Sequence, residues 1–438
     1  MASFLIIQTC LINKIMQHQF SIAYARSLDN KDSLHHFREQ FIAPQLHHKR
    51  AVYFLGNSLG LQPKNTTAEL IKVMDAWGNL GVEGFFLGHD PWLEYSKKIT
   101  PLISKIVGAL PEEVVTMNHL TVNLHLLMVS FYNPTATRYK IICEAKAFPS
   151  DQYALQSQAR LHGFTASGAI IEVQPKEGSQ LISEADIIET IKQHGDSVAL
   201  VLFSAVNYIT GQVFNIKAIT AAAHKAGAMA GFDLAHAAGN IKLQLHQWNA
   251  DFACWCNYKY LNSGPGAIAG AFVHQRHLKN PDIKRLEGWW GNDSSNRFKM
   301  EATFTPSPTA ESWSLSTTPM LLMAAHKAAL EIFEQAGFDN LLAKGKALGS
   351  YLFFALDHIN QPEEKFNIIT PRNADERGCQ VSISVHHNAR SVFKTLLPLG
   401  IFADWRDPNI IRVAPVPLYN SFEEIFIFAD TLRQLLND

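Results

Sequence analysis

Met229-Ala-Gly-Phe-Asp233 and, a little further on, Asp251-Phe-Ala-Cys-Trp-Cys256 are short apolar runs, the first closed by Asp233 and the second followed within three residues by Lys259. Runs of this length and content read as strands. Ahead of the first, Ile216 to Gly227 carries apolar residues on one face and ends in glycine, the pattern of a helix with its stop signal. Together they form a βαβ unit ending in Asp233. In such sheets ligands collect beyond the carboxyl ends of the strands, where both Asp233 and Lys259 fall. A buried carboxylate and a lysine are each costly to desolvate alone, so the pair marks a candidate site.

Working outward, Tyr139–Cys143, Ala169–Val173, Val198–Phe203 and Ala267–Val273 also read as strands, alternating with amphipathic stretches from about residue 114 to 275. That alternation predicts an α/β fold with a mostly parallel sheet. The Pro-rich Thr305-Pro-Ser-Pro308 separates it from helical text at 319–358, which is followed by strands at Gln380–Val385 and Ile410–Ala414. The division expected is an N-terminal segment over 1–55 that joins a small domain, a large domain over 56–310 and a small α+β domain over 311–438.

A chain of 438 residues with 47% hydrophobic and 18% charged residues has the profile of a globular protein of more than one core. Its formal net charge of −1, without a dense Lys/Arg tract, gives no electrostatic reason for a nucleic-acid or membrane partner. Five cysteines, an odd number without a paired framework, fit a reducing, cytoplasmic compartment. Cys254-Trp-Cys256 lacks further ligands at sensible spacing and reads as packing, and the doublets His35-His36, His47-His48 and His386-His387 read as surface histidines, so no metal is expected. The apolar Ser3 to Ile12 has no preceding positive charge, no cleavage site and too little length to span a bilayer. Met16 begins more ordinary sequence, and residues 1–15 are read as an upstream start or a frayed extension.

Lys259 stands between Tyr258 and Leu261-Asn-Ser-Gly-Pro-Gly266, where two glycines would let backbone approach a ligand. An amine able to form a Schiff base, an acid to keep a pyridinium protonated and donors for a phosphate are the parts that pyridoxal 5′-phosphate (PLP) requires. Lys259 and Asp233 supply the first two. Leu120-Thr121 lies between a strand and a helical stretch, so the Thr121 hydroxyl and nearby amides could meet the phosphate, although in isolation Thr121 reads as a helix N-cap.

Tyr53-Phe-Leu-Gly-Asn-Ser-Leu-Gly60, Leu120-Thr-Val-Asn-Leu-His125, Ala147-Phe-Pro-Ser-Asp151, Gly231-Phe-Asp-Leu-Ala-His236 and Asn257-Tyr-Lys-Tyr-Leu-Asn262 resemble the signature blocks of the kynureninases. Gly288-Trp-Trp-Gly291, Arg297-Phe-Lys-Met300 and Arg412-Val-Ala-Pro-Val-Pro-Leu-Tyr419 continue the resemblance, which runs over roughly residues 20–435. It implies PLP-dependent transferase fold type I, of the aspartate aminotransferase-like superfamily, with a seven-stranded, mostly parallel sheet in the large domain. It also implies a homodimer with active sites at the subunit interface, and an enzyme that hydrolyses L-kynurenine, or its 3-hydroxy derivative, to the anthranilate and L-alanine in tryptophan degradation and NAD biosynthesis.

By motif position, the resemblance makes Lys259, Tyr258 and Asp233 catalytic. With these three it places Leu120, Thr121, Phe148, Asp151, Ser204, His236, Trp289 and Thr317 around the cofactor, Phe148 stacking on the ring and Thr121, Tyr258 and Trp289 reaching the phosphate, Trp289 from the partner subunit. Asn57, Ser58 and Arg412 would face the substrate, Arg412 gripping its carboxylate. Thr317 and Val82 stand where animal relatives that favour the hydroxylated substrate carry Asn and His, which leaves the preferred substrate open.

Taken singly, Phe148 and Trp289 could be core residues, His236 could satisfy a loop carbonyl and Arg412 reads as half of a structural salt bridge. The aromatic stretch Trp77, Phe85, Phe86 and Trp92 reads as packing. Two other functions remain as alternatives. One is another fold-type-I PLP enzyme, aminotransferase-like or cysteine desulfurase-like, the latter needing an activated cysteine for which Cys379 is the candidate. The other is a binding module that keeps the fold, against which the intact Lys259, Asp233 and Thr121 argue.

Overall fold

A computed structural model of the protein describes residues 18–46 and 48–437. The upstream segment 1–15, Cys10 and His47 lie outside them. The large domain is built on seven strands: β1 (Val114–Thr116), β2 (Lys140–Glu144), β3 (Ile170–Val173), β4 (Val198–Ser204), β5 (Met229–Asp233), β6 (Phe252–Cys256) and β7 (Ala269–Val273). Their order across the sheet is β1-β7-β6-β5-β4-β2-β3. β7 runs antiparallel to both neighbours and the remaining pairs are parallel, as the alternation of strands and helices implies.

The central strands are buried along almost their whole length, which explains their unbroken apolar character. On one side the sheet packs with Ile216 and Ile219 of the helix Ile216–Lys225, and on the other with Leu124, Leu127 and Phe131 of the helix Leu120–Phe131. In register, Asp233 lies opposite Ser204 on β4 and Cys254 on β6. The side chains at these strand ends therefore gather at one end of the sheet.

The small domain carries an antiparallel sheet of β8 (Phe366–Ile368), β9 (Val381–Val385), β10 (Asp404–Arg406) and β11 (Ile410–Val413), ordered β8-β9-β11-β10. Its core includes Ala25 and Leu28 from the N-terminal helix Ile22–Asp29, packed with Ile425, Phe428 and Leu432 of the last helix, Phe422–Leu435. The Asp29 carboxylate accepts from the amides of Phe422 and Glu423 at 2.8 and 2.9 Å, pinning the first helix to the start of the last. Val52–Tyr53 then pairs in parallel with Ile401–Phe402 on its way to the large domain.

Several element bounds differ from the expected ones. The helical text at 319–358 is two helices, Met320–Ala336 and Phe338–Ile359, because Gly337 turns the chain at φ +75°. The strand expected from Ala169 starts at Ile170, since Ala169 ends a short helix whose Thr165 hydroxyl accepts from the Gly168 amide. Of the aromatic stretch, Phe85 and Trp92 pack edge to face at 5.0 Å, whereas Trp77 is 66% exposed.

At the opposite end of β6 from Lys259, Asp251 is buried and ties several elements together. Its carboxylate accepts from Arg276 at 2.5 Å, from His224 and His277 at 2.8 Å each and from the Ala230 amide at 2.7 Å. Nearby, Glu113 accepts from the Leu110 and Gln275 amides and meets His246 at 2.9 Å, so this histidine-rich corner is a hydrogen-bonded brace. Burial works against charge on Asp251, but the bonds from His224, His277 and Arg276 outweigh it and hold the carboxyl well below its usual range. A carboxyl whose folded value is depressed adds stability above its unfolded value, near 4, and loses that contribution as pH falls further. Asp251→Asn is therefore expected to lower the chemical-denaturation midpoint at neutral pH, with the gap to the unmodified protein closing below about pH 4.

Candidate active site

The loop after β6 fixes Lys259 by hydrogen bonds on both sides. Asn257 donates its amide to the Ile268 carbonyl at 2.7 Å and accepts from the Ser263 amide at 3.0 Å, while the Asn262 amide donates to the Lys259 carbonyl at 3.0 Å. The Asn57-Ser-Leu-Gly60 block docks against this loop, with the Gly60 amide donating to the Tyr258 carbonyl at 2.8 Å. A Cβ at Gly60 would stand 2.4 Å from the Lys259 carbonyl oxygen, so this close approach admits only glycine. The Gly264-Pro-Gly266 stretch after Lys259 makes a turn. Ala267 donates to the Gly264 carbonyl at 3.1 Å, a plain turn, and none of the three residues lines the lysine's cavity.

That cavity is small, about 70 Å³. Leu120, Thr121, Phe148, Asp151, Ser204, Asp233, His236, Tyr258 and Lys259 all line it. Lys259 Nζ lies 5.8 Å from the centre of the Phe148 ring. Thr121 sits in the first turn of its helix, where His119 is the N-cap and no side chain caps the helix, so the opening amides and the Thr121 hydroxyl are available to an anion. The N-cap reading of Thr121 is thereby replaced.

Asp233 is buried and accepts from the Ala235 amide at 2.6 Å. Asp151, in the first turn of the helix Pro149–Leu161, is buried beside it, with Oδ1 lacking a partner. Burial raises both carboxyls. The positive charge of Lys259 opposes the rise at Asp233, while the neighbouring Asp233 pushes Asp151 further up. Burial, then Lys259 and Arg412, keeps His236 well below its ordinary value and therefore neutral, and its Nδ1 is also unpartnered. Burial likewise pushes the Tyr258 phenol up, so it stays protonated.

The remaining residues singled out from the sequence lie elsewhere. Trp289 is 44% exposed, donates its indole N–H to the Arg297 carbonyl at 3.0 Å and does not reach this cavity, nor does the exposed Thr317. Asn57 is buried and donates to Gln380 at 2.9 Å. Arg412, on β11, is buried and donates to the Tyr208 carbonyl and to the Asp404 carboxylate, which is the structural salt bridge its isolated reading suggested. Burial lowers its guanidinium to about 10, which leaves it charged at neutral pH.

Several residues of the site have no counterpart in the sequence reading. Glu144 closes β2 as Asp233 closes β5, a signal that the same strand-end logic could have found. It is buried and accepts from the Ser204 amide at 2.8 Å and from the Ser204 hydroxyl. Tyr208 lines the cavity, its ring edge-on to Phe148 at 5.3 Å, while its carbonyl also accepts from Gln380 at 3.1 Å. Gln380 thus links Asn57, Tyr208 and the small-domain sheet. Nothing in the local sequence of Tyr208 or Gln380 marks either.

An amine, a buried acid, a ring face and a helix N-terminus converge here, a donor set suited to a planar, anionic aromatic group. The unpartnered Asp151 Oδ1 and His236 Nδ1 show that buried polar capacity remains to be met by a ligand.

A family model described as the kynureninase C-terminal domain matches residues 341–432. Kynureninase of Flavobacterium johnsoniae is 52% identical over 420 residues, covering 96% of this chain and 99% of the relative. Kynureninase of Mus musculus is 45% identical over 432 residues, covering 94% of this chain and 93% of the relative. Among solved structures, a C-DES mutant with glycine covalently linked to its PLP cofactor superposes with a TM-score of 0.75 at 17% identity, covering 90% of this chain and 98% of that one. An apo cysteine desulfurase from Thermococcus onnurineus NA1 gives 0.71 at 17% identity, covering 88% and 95%. At that identity the structural likeness speaks for the fold.

Burial first, and then the Asp233 charge, raises the Glu144 carboxyl to about 7, against the hydrogen bonds from Ser204. A carboxyl raised on folding gives stability that is present below its unfolded value and lost as pH rises through the folded one. In thermal melts without added ligand, Glu144→Gln should therefore gain on the unmodified protein as pH rises from about 4 through 7. A constant difference across that range would mean that Glu144 is already ionised in the fold.

Proposed function

The chain belongs to the kynureninase family, and from that premise we propose that it uses PLP to hydrolyse the Cβ–Cγ bond of L-kynurenine, or of its 3-hydroxy derivative. The products are the anthranilate and L-alanine, which makes the enzyme a hydrolase acting on carbon–carbon bonds in ketonic substances. The observation that carries this reading is the convergence of Lys259, Asp233, Phe148 and the Thr121 helix end on one cavity, in a chain that matches kynureninases along almost its full length.

The chemistry PLP supplies when bound is an electron sink for charge released at the substrate's α- and β-carbons. The rest falls to the chain's own residues. Lys259 would hold the cofactor through its amine and then carry protons to and from the substrate. Asp233 would keep a proton on the ring nitrogen, as a buried carboxylate beside a cation can. Phe148 would cover the ring, Asp151, Ser204 and His236 would line it, and the Thr121 hydroxyl with the neighbouring amides would take the phosphate. The protonated Tyr258 phenol stands beside Lys259 and would assist water at the substrate's γ-carbonyl. Arg412 would receive the substrate carboxylate, with Asn57 and Ser58 nearby.

A desulfurase reading finds less support. Cys143, Cys254, Cys256 and Cys379 are all buried, and burial pushes the Cys379 thiol up to about 12, the reverse of an activated nucleophile.

We further propose a homodimer in the cytoplasm. Phe86, Trp289 and Phe298 form a contiguous aromatic group, each 44–49% exposed, with Phe298 5.6 Å from both of the others. Ile71, Met74 and Trp77 on the helix Thr66–Leu80 are also exposed. Exposed apolar groups of this size favour a protein partner, and a second copy would let Trp289 reach the phosphate of the other subunit. The enzyme should sediment at twice the mass of one chain, and Trp289→Ala should weaken cofactor retention; a monomer that retains cofactor equally well would refute the shared site.

Purified enzyme should show the visible absorbance of a protein-bound Schiff base and release fluorescent anthranilate from L-kynurenine. Lys259→Ala should abolish both the lysine-bound absorbance and turnover, whereas Asp233→Ala should keep some cofactor yet lose activity. A Schiff-base band without anthranilate release would sink the substrate assignment alone.

A further inference from the structure

Arg412 is not waiting empty for a substrate carboxylate. Asp404 on β10 lies directly across from it in the antiparallel pairing with β11, and the Asp404 carboxylate holds its guanidinium. The same Asp404 oxygen, Oδ2, lies 3.3 Å from Nη2 of Arg406, two residues along the strand and on the same face. The two arginines differ in their surroundings. The Arg412 side chain is 1% exposed, whereas that of Arg406 is 36% exposed, with its guanidinium over the Tyr208 ring at 5.8 Å. One carboxylate therefore stands between a buried arginine and a solvated one.

Two guanidiniums and one carboxylate leave one positive charge in excess. An incoming carboxylate balances it, but only if the two anions do not compete for the same fork, because like charges in a buried site repel strongly. Resting on the reading of Arg412 as the substrate's carboxylate partner, we propose that Asp404 is a placeholder. It occupies Arg412 in the free enzyme and passes to Arg406 when the substrate carboxylate arrives. Asp404 then also sets selectivity, since a ligand without a carboxylate cannot displace it. While Arg412 waits, Asp404 spares it the cost of an unpaired buried charge.

The test uses the holoenzyme, with the KM for L-kynurenine and the Kd for L-alanine followed through cofactor absorbance. Asp404→Asn removes the competing anion while keeping shape, and it should tighten L-alanine binding several-fold while leaving a decarboxylated kynurenine analogue unaffected. Arg406→Gln, at a solvated position, should raise the KM and the L-alanine Kd several-fold with kcat little changed, and it should have no further effect in the Asp404→Asn background. The proposal is overturned if Asp404→Asn loosens or leaves unchanged L-alanine binding, since Asp404 would then only brace Arg412. It is equally overturned if Arg406→Gln acts alike in both backgrounds. Arg412→Gln separates the premise from the proposal: unchanged L-alanine binding there removes Arg412 as the carboxylate partner and the placeholder with it.

Discussion

Three carboxylates, those of Glu144, Asp151 and Asp233, are buried near the carboxyl ends of the parallel strands, with the Lys259 amine beside Asp151 and Asp233. In an apolar interior such a group persists only if each charge is hydrogen-bonded, paired or neutralised by a proton. Glu144 is met by Ser204, Asp233 by the Ala235 amide and the charge of Lys259, and Asp151 is driven toward its protonated form. The cluster therefore has a built-in appetite for a donor. A ring nitrogen that carries a proton against Asp233 would offset the repulsion of like charges, so the cluster favours such a group.

The sheet makes this crowding sustainable. β4 and β5 end in register, so Ser204 and Asp233 face the same space without any loop having to place them. β6 carries the chain past these strand ends, and the Asn257 and Gly60 contacts hold the turn that presents Lys259. Rigidity comes from strands buried on both faces, whereas Phe148 is the N-cap of the helix that follows β2 and Thr121 lies in the first turn of the helix that follows β1. A site assembled from strand ends and helix starts keeps its geometry through the hydrogen-bond ladder rather than through side-chain packing alone.

What could be read from the chain divides along the same line. The strands, the βαβ unit and the pair Asp233 and Lys259 were legible because periodicity and a charge at the end of an apolar run are local signals. Resemblance to the kynureninase blocks supplied Phe148, Asp151, Ser204 and His236, and all four line the same cavity. Glu144 obeys the strand-end rule but follows a run whose apolar character ends at Cys143, so the charge reads as lying beyond the strand. Gly337 is hard to read as a helix stop because the text on both sides of it is helical, and its positive φ shows only in the fold. Tyr208 and Gln380 are illegible for a better reason: each matters through a contact with a residue far away in sequence, and no spacing in one chain encodes that. Trp289 and Thr317 lie away from the cavity of their own chain, which is where residues that serve a second copy would be found.

These distant contacts are also what joins the two domains. The Tyr208 carbonyl, on a large-domain loop, accepts from both Gln380 and Arg412 of the small domain, while its ring meets Phe148. Gln380 in turn accepts from Asn57, in the block that docks on the Lys259 loop. A shift of the small-domain sheet would therefore be felt at Phe148 through Tyr208 and at Lys259 through Asn57 and Gly60. Coupling of this kind requires a physical element with more than one arrangement. Asp404 shared between two arginines is such an element, because its preference depends on whether Arg412 has another carboxylate to hold. Occupancy of the carboxylate subsite and the alignment of the ring and the amine are then linked by charge balance, without any need for a long-range conformational wave.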